Sequence, residues 1–123
     1  MNTGTCTVSL SGWTLRYGSS GTMSGSGSTV WTGTAARSLA PGQYGIVRGG
    51  AVAPPAGAAV DLGFVTVLGF NDAGGGVGLY TPGGTRIDSV TWQQMGGSTI
   101  VDAMHPHREG MPATAPPGTG TVI

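Results

Sequence analysis

Apolar and polar residues alternate in short runs along this chain, and glycine-rich turns separate the runs. Residues 60–64 (VDLGF) alternate with the two-residue period of a strand. No window keeps helical apolar spacing for more than about two turns. The pattern therefore predicts an all-β fold with little or no helix.

The strongest local pattern predicts a β-hairpin near residue 80. Residues 77–80 and 86–92 are strand-like runs, and the five residues between them include one proline and two glycines. Asp88 shares strand parity with Val90 and Trp92, so strict alternation points its carboxylate toward the core, where it would need hydrogen-bond donors. Ahead of the hairpin, residues 71–76 predict a break.

Four other segments have readable patterns. Residues 8–15 read as a strand whose phase shifts at Gly12, which predicts a bend there. Residues 18–34 are dominated by Ser, Gly and Thr and predict a long loop with one short edge strand. Residues 43–48 predict a strand after a turn, and residues 65–70 are apolar enough to continue the strand of 60–64.

Length and composition narrow the classes of function. The length predicts a single domain over residues 1–123, with its core in 8–92 and a loop-rich segment in 93–123. Five arginines balance five acidic residues and there is no lysine, which disfavours electrostatic nucleic-acid binding. The lone Cys6 excludes an internal disulfide, and no apolar run has the roughly 18 residues of a transmembrane helix. The first residues also lack the features of a signal peptide.

Three blocks of sequence together resemble the lamin-tail domain, particularly its bacterial extracellular branch. They are residues 10–15 (LSGWTL), residues 39–44 (LAPGQY), and the pair 78–80 (GLY) and 84–90 (GTRIDSV). The resemblance implies an immunoglobulin-like β-sandwich without catalytic residues or cofactor. Bacterial domains of this type accompany secreted or membrane-associated hydrolases. The implied role is tethering to a protein partner or cell-surface component, in an extracellular or cell-surface setting.

The resemblance also implies that the first strand of the sandwich is missing. The family opens with one or two strands before the LSGW block, and only nine residues precede Leu10 here. A missing strand would leave one sheet edge unpaired, and an unpaired edge favours self-association by strand addition.

The aromatic residues leave a second function open, which is carbohydrate recognition by an accessory domain. Trp31 lies in the Ser/Gly/Thr-rich stretch and is the best candidate for an exposed ligand contact. Trp13 and Trp92 fall in strand patterns and are expected to be buried.

A third function, metal-dependent hydrolysis, rests on four residues in the loop-rich segment. Imidazole and carboxylate groups are zinc ligands, and they occur here within eight residues at Asp102, His105, His107 and Glu109. The other interpretation of this segment is a polar loop. We assign no metal site and no catalytic residue.

Overall fold

The structure is a computed structural model, and it describes residues 1–22, 25–49, 53, 59–65, 70, 73–94, 105–111 and 113–115. These residues form strands and contain no helix, which confirms the predicted all-β class. No helix that could cross a membrane occurs in the part of the chain that the structure describes. In chain order the strands are β1 (Val8–Ser9), β2 (Thr14–Ser19), β3 (Ser28–Thr32), β4 (Ser38–Leu39), β5 (Tyr44–Arg48), β6 (Ala59–Phe64), β7 (Gly74–Tyr80), β8 (Arg86–Gln94) and β9 (Ala113–Ala115).

The strands form one large sheet and two small ones. The large sheet has five strands in the order β3-β2-β7-β8-β9 and is antiparallel except for the parallel β8–β9 pair. The small sheets are the antiparallel pair β1–β4 and the parallel pair β5–β6. Strands from different sheets can bury apolar side chains only by packing face to face, which is the arrangement of a sandwich.

The core lies between the small sheets and the β2–β3 half of the large sheet. Leu10, Trp31, Leu39 and Leu62 form a buried cluster, and Leu15 packs against it. The indole Nε1 of Trp31 donates a hydrogen bond of 2.9 Å to the carbonyl oxygen of Leu62, which joins β3 to β6. The β7–β8 half of the large sheet contributes no residue to this cluster among the described residues.

The predicted bend at Gly12 is confirmed. Gly12 has φ of 75° and separates β1 from β2, and its amide donates to the carbonyl of Gly33. Before β1, the amide nitrogen of Asn2 donates to Gln43 and its side-chain Nδ2 donates to the carbonyl of Leu39 at 2.8 Å. The expected absence of a first strand stays a prediction.

The predicted hairpin is confirmed by β7 and β8, and the predicted strand at 43–48 is confirmed by β5. The predicted break over residues 71–76 is wrong for Gly74–Gly76, which belong to β7. A Cβ on Gly75 would lie 2.9 Å from Cε2 of Tyr17 and 3.1 Å from Cζ2 of Trp92. The glycines are therefore strand residues where neighbouring side chains approach the backbone closely.

Two predictions at strand ends are also corrected. β6 ends at Phe64, and the described residues Val65 and Phe70 are not in a strand, so the predicted continuation over 65–70 is wrong at both of its ends. In the loop-rich C-terminal segment, the strand lies at Ala113–Ala115. Residues 121–123 (TVI), where the sequence also allows a strand, lie outside the described residues.

The prediction of a buried Asp88 is wrong. Asp88 is exposed, and its Oδ1 accepts a hydrogen bond of 2.8 Å from the amide of Ser89. The register of the hairpin shifts between Leu79 and Tyr80, and Val90, which shares the parity of Asp88, is also exposed. Alternation holds, but the face to which both side chains point is open at this end of the sheet.

Candidate functional site

β7 presents two different surfaces because its glycines are not evenly distributed between its faces. On one face Gly76 and Gly78 leave the backbone bare, and they pair with Gly18 and Arg16 of β2. We call this the histidine face, since two histidines cover it. Its residues in β2 and β7 are Arg16, Gly18, Gly76, Gly78 and Tyr80.

The residues 105–107 lie directly on the bare glycines of the histidine face. A Cβ on Gly76 would lie 2.7 Å from Cε1 of His105, and a Cβ on Gly78 would lie 2.6 Å from Nδ1 of His107. Heavy atoms do not approach a real Cβ under 3.0 Å. The absence of side chains at these two positions is therefore what allows the histidine rings to reach the sheet.

His105 has hydrogen-bond partners on both ring nitrogens. Its Nε2 lies 3.0 Å from the carbonyl oxygen of Ser19 and 3.3 Å from that of Gly18, and its Nδ1 accepts from the amide of His107 at 3.2 Å. Carbonyl oxygens only accept, so Nε2 carries the proton and Nδ1 holds the lone pair. The geometry thus selects the neutral ring with its proton on Nε2.

His107 is completely buried, and only one of its ring nitrogens is satisfied. Nδ1 lies 3.2 Å from the hydroxyl oxygen of Tyr80, whereas Nε2 has no hydrogen-bond partner. Burial lowers the pKa of His107 from 6.5 to about 4, and positive charge at the neighbouring His105 or Arg86 acts in the same direction. A backbone group of Ser26 opposes this shift without meeting the geometry of a hydrogen bond to Nε2.

The side chains around this segment hold it in place and are cationic. Arg16 lies over the ring of Tyr80, with its Cζ 4.7 Å from the ring centroid. Arg86 donates to the carbonyl oxygen of Pro106 and forms a 3.2 Å ion pair with Glu109. The segment is thus bound to β8 through Arg86, and to β2 and β7 through the hydrogen bonds of its two histidines.

The geometry gives the metal-dependent function no support. Both ring nitrogens of His105 and the carboxylate of Glu109 already have protein partners. No group of three His, Cys, Asp or Glu side chains that could hold a metal ion occurs in the described part of the chain. Asp102 lies outside the described residues. Sequence reasoning took the other interpretation to be a polar loop and missed that both rings are buried.

The opposite face of the large sheet carries aromatic and aliphatic side chains in its β7–β8 half. We call it the aromatic face. Tyr17 and Trp92 lie on either side of Gly75, with ring centroids 6.1 Å apart, and Phe70 stacks on Tyr17 at 4.8 Å. The described strand residues of this face include Tyr17, Gly75, Val77, Leu79, Asp88, Val90 and Trp92.

The aromatic face remains partly accessible to solvent. Val90 is 53% exposed and Phe70 is 42% exposed, while Tyr17 and Trp92 are half-buried. Solvent-accessible apolar side chains grouped in this way on a folded domain are typical of an interaction surface.

The prediction of an exposed Trp31 in a loop is wrong. Trp31 lies in β3, is 5% exposed and belongs to the core cluster. Its ring also lines a shallow cleft of about 410 Å³ with Thr29 and Phe64, but its Nε1 is bound to Leu62. The predicted burial of Trp92 is only half right, since it is half-buried on the aromatic face. The run of glycines in β7 is the signal in the sequence that could have located both surfaces, because glycine is the smallest residue.

Comparison with known proteins agrees with this architecture. A family model described as the Lamin Tail Domain matches residues 1–94. No curated protein and no solved structure matches the chain significantly. The lamin tail domain is an immunoglobulin-like and generally non-catalytic module, and both its fold and the present sandwich consist of strands. The chain therefore belongs to the lamin tail domain family.

Proposed function

We propose that this domain is a non-catalytic tethering module that binds a protein partner through the aromatic face. The observation that carries the proposal is the solvent-accessible group of Val90 and Phe70 beside the half-buried rings of Tyr17 and Trp92. Removing apolar surface from water contributes roughly 25 cal/mol per Å² to association. Aromatic residues at the centre of an interface carry much of the binding energy.

The chemistry of this face favours a protein over a sugar. A sugar stacks on the flat side of an aromatic ring, but Tyr17 and Phe70 stack on each other with an interplanar angle of 27°. The neighbouring side chains Val77 and Val90 are aliphatic and suit apolar side chains of a partner. Asp88 lies on the same face and is exposed, so a basic residue at the edge of the partner's binding segment would complement it.

The experiment selects peptides from a random displayed library on the whole chain and measures their affinities. We expect apolar peptides with Lys or Arg near one end. Val90→Asp should weaken their binding at least about tenfold, equivalent to about 1.4 kcal/mol, because a carboxylate would replace the exposed methyl groups. Tyr44→Asp is the matched control, since Tyr44 is 57% exposed and lies in β5, outside the aromatic face.

Two results would contradict the proposal. Equal loss of binding in the Val90→Asp and Tyr44→Asp variants would show that the aromatic face is not the binding surface. Binding of a glycan panel that is lost on Trp92→Ala, with no peptide selected, would instead support the carbohydrate-recognising function.

We also propose that the domain acts in an extracellular or cell-surface setting as part of a larger protein. The support for this setting is the resemblance of residues 10–15 and 39–44 to the bacterial extracellular branch of the family. Detection of the parent protein in the medium or on intact cells tests the setting, and its recovery only from the cytoplasm would contradict it.

A further inference from the structure

The segment 105–107 combines features that a permanently packed loop does not need. Its two histidines are the only histidines of the chain, and they are 3% and 0% exposed. One ring nitrogen, Nε2 of His107, is buried without a hydrogen-bond partner. An unsatisfied polar atom in the interior costs free energy, so its retention calls for a reason beyond packing.

We propose that residues 105–107 form an acid-released latch: proton uptake by His107 expels the segment from the glycines of β7 and uncovers the histidine face. The latch is closed when the ring of His107 is neutral. It opens because, among the described residues, no acceptor lies within hydrogen-bond geometry of Nε2 of His107 and the nearby carboxylate of Glu109 is already paired with Arg86, so the opposing backbone group of Ser26 acts alone.

The groups that face His107 explain why the closed latch excludes a proton. From β2 comes the guanidinium of Arg16, from β8 that of Arg86, and from β7 the hydroxyl of Tyr80. His105 lies beside it in the same segment, with ring centroids 5.4 Å apart. The nearby carboxylate, that of Glu109, is paired with Arg86 at 3.2 Å. A cationic imidazolium would therefore meet two other cations in a desolvated site.

His105 holds the segment in the closed state through both of its ring nitrogens. In the closed latch its Nδ1 must keep a lone pair to accept the amide of His107. The amide of His107 therefore reports directly whether the segment is in place, and the proton that opens the latch is the one taken up by His107.

The space beneath the latch makes the change an opening instead of a small rearrangement. Gly76 and Gly78 already lie within contact of the rings, since a Cβ there would be 2.7 Å and 2.6 Å from ring atoms. No room is left for a water molecule to solvate a charge from the sheet side. On the side of the described glycines the ring can reach water when the segment leaves the sheet.

The test measures amide hydrogen exchange by NMR on the whole chain at about pH 7.5 and about pH 5.0, a range in which histidine titrates. The reporting amides are His107 and Arg108, which donate to Nδ1 and to the carbonyl oxygen of His105. We expect their protection factors to fall by about 30-fold on acidification. This is the ratio expected when the released ring takes up a proton with the ordinary pKa of histidine and the closed ring does not. The amide of Gly33, bonded to the carbonyl of Trp13 near the core, serves as the internal reference and should keep its protection.

Two variants assign the response to His107. His107→Gln keeps a polar side chain that does not titrate and should remove the pH response of Arg108. Glu109→Gln is the matched control from the same segment, since it removes the nearby carboxylate and should leave the response in place.

The ring signals of the unmodified chain keep the test decisive if His107→Gln does not fold. Protonation of His107 that coincides with loss of protection at Arg108 supports the latch. Protonation of the ring with protection unchanged would overturn it, and so would an undiminished response in a folded His107→Gln variant. Equal loss of protection at Gly33 would also overturn it, because that pattern reports global unfolding.

Discussion

The two faces of the large sheet differ although the same strands build them. On the histidine face, Gly76 and Gly78 bring a segment from a distant part of the chain against the backbone, and the covering rings are almost fully buried. On the aromatic face, Gly75 separates two rings and the neighbouring Val90 is 53% exposed. Consecutive glycines of one strand thus serve opposite purposes.

This contrast shows that the apolar character of the residues does not decide which face of a sheet is covered. The covered face receives two imidazoles and the accessible face carries valine and aromatic rings. Close backbone approach, which only glycine allows, decides where the segment can pack.

The largest effect separates the covered β3 end of the large sheet from the accessible aromatic face. Trp31→Ala should lower the free energy of unfolding by about 3–5 kcal/mol, because it leaves a cavity in the core cluster. Trp92→Ala should cost about 1–2 kcal/mol, since part of that ring is already in water. Urea denaturation measures both values. Equal losses of unfolding free energy in the two variants would show that Trp31 and Trp92 are covered alike.

The next effect tests close approach on the histidine face. Gly78→Ala should lower the free energy of unfolding by about 3 kcal/mol, because the new Cβ would press on His107 and on Tyr80 in a packed interior. The control is Gly83→Ala, where the nearest heavy atom to the new Cβ would be 3.8 Å away. Both changes restrict the unfolded backbone equally, so their difference in thermal or urea denaturation isolates the clash. A difference near zero would show that His107 and Tyr80 accommodate the new Cβ without cost.

A third effect follows from the pKa of His107. The unfolded chain binds a proton near the ordinary value of 6.5, whereas the folded chain does so only near a pKa of about 4. Stability should therefore be complete above pH 7 and fall as the pH drops through 6.5 toward 4, by about 2 kcal/mol at pH 5. Urea denaturation across this pH range measures how steeply the free energy of unfolding depends on pH, and His107→Gln should reduce that dependence.

One carboxylate of the fold falls outside that pH window. The hydrogen bond from Arg48 holds the pKa of Asp61 below 3.8, so its contribution is present above that value and is lost only at lower pH. A slope between pH 7 and pH 5 that survives in the His107→Gln variant would have another source and would contradict the assignment.

The smallest effect concerns the edge of the aromatic face. Asp88→Ala should change the free energy of unfolding by no more than about 0.5 kcal/mol, because the side chain is exposed and its bond to Ser89 is local. A loss of about 1–3 kcal/mol in urea denaturation would show that this carboxylate is buried and hydrogen-bonded after all.

Local patterns were sufficient for the elements that depend on neighbouring residues. The hairpin of β7 and β8 follows from two strand-like runs around a turn, and the bend at Gly12 follows from a phase shift in alternation. The family could also be recognised from short blocks of sequence, and its model matches residues 1–94. These features have in common that their causes lie within a few residues of one another.

The candidate surfaces could not be predicted in the same way. Trp31 sits in a Ser/Gly/Thr-rich stretch, yet it is buried because Leu62, thirty-one residues later, lies against it. Asp88 alternates as a core residue would, but no described element covers that end of the aromatic face enough to bury it. In both cases burial depends on what packs above the strand.

The all-β class, the hairpin and the family could be predicted from the sequence, because alternation, turn residues and short sequence blocks are local features of the chain. Only the tertiary structure decided that residues 105–107 return to β7, nearly thirty residues away from Gly78, and that the aromatic face stays accessible. The physical reason is that burial and the pKa of His107 depend on the desolvating atoms around a side chain, and here those atoms come from β2, β7 and β8 together.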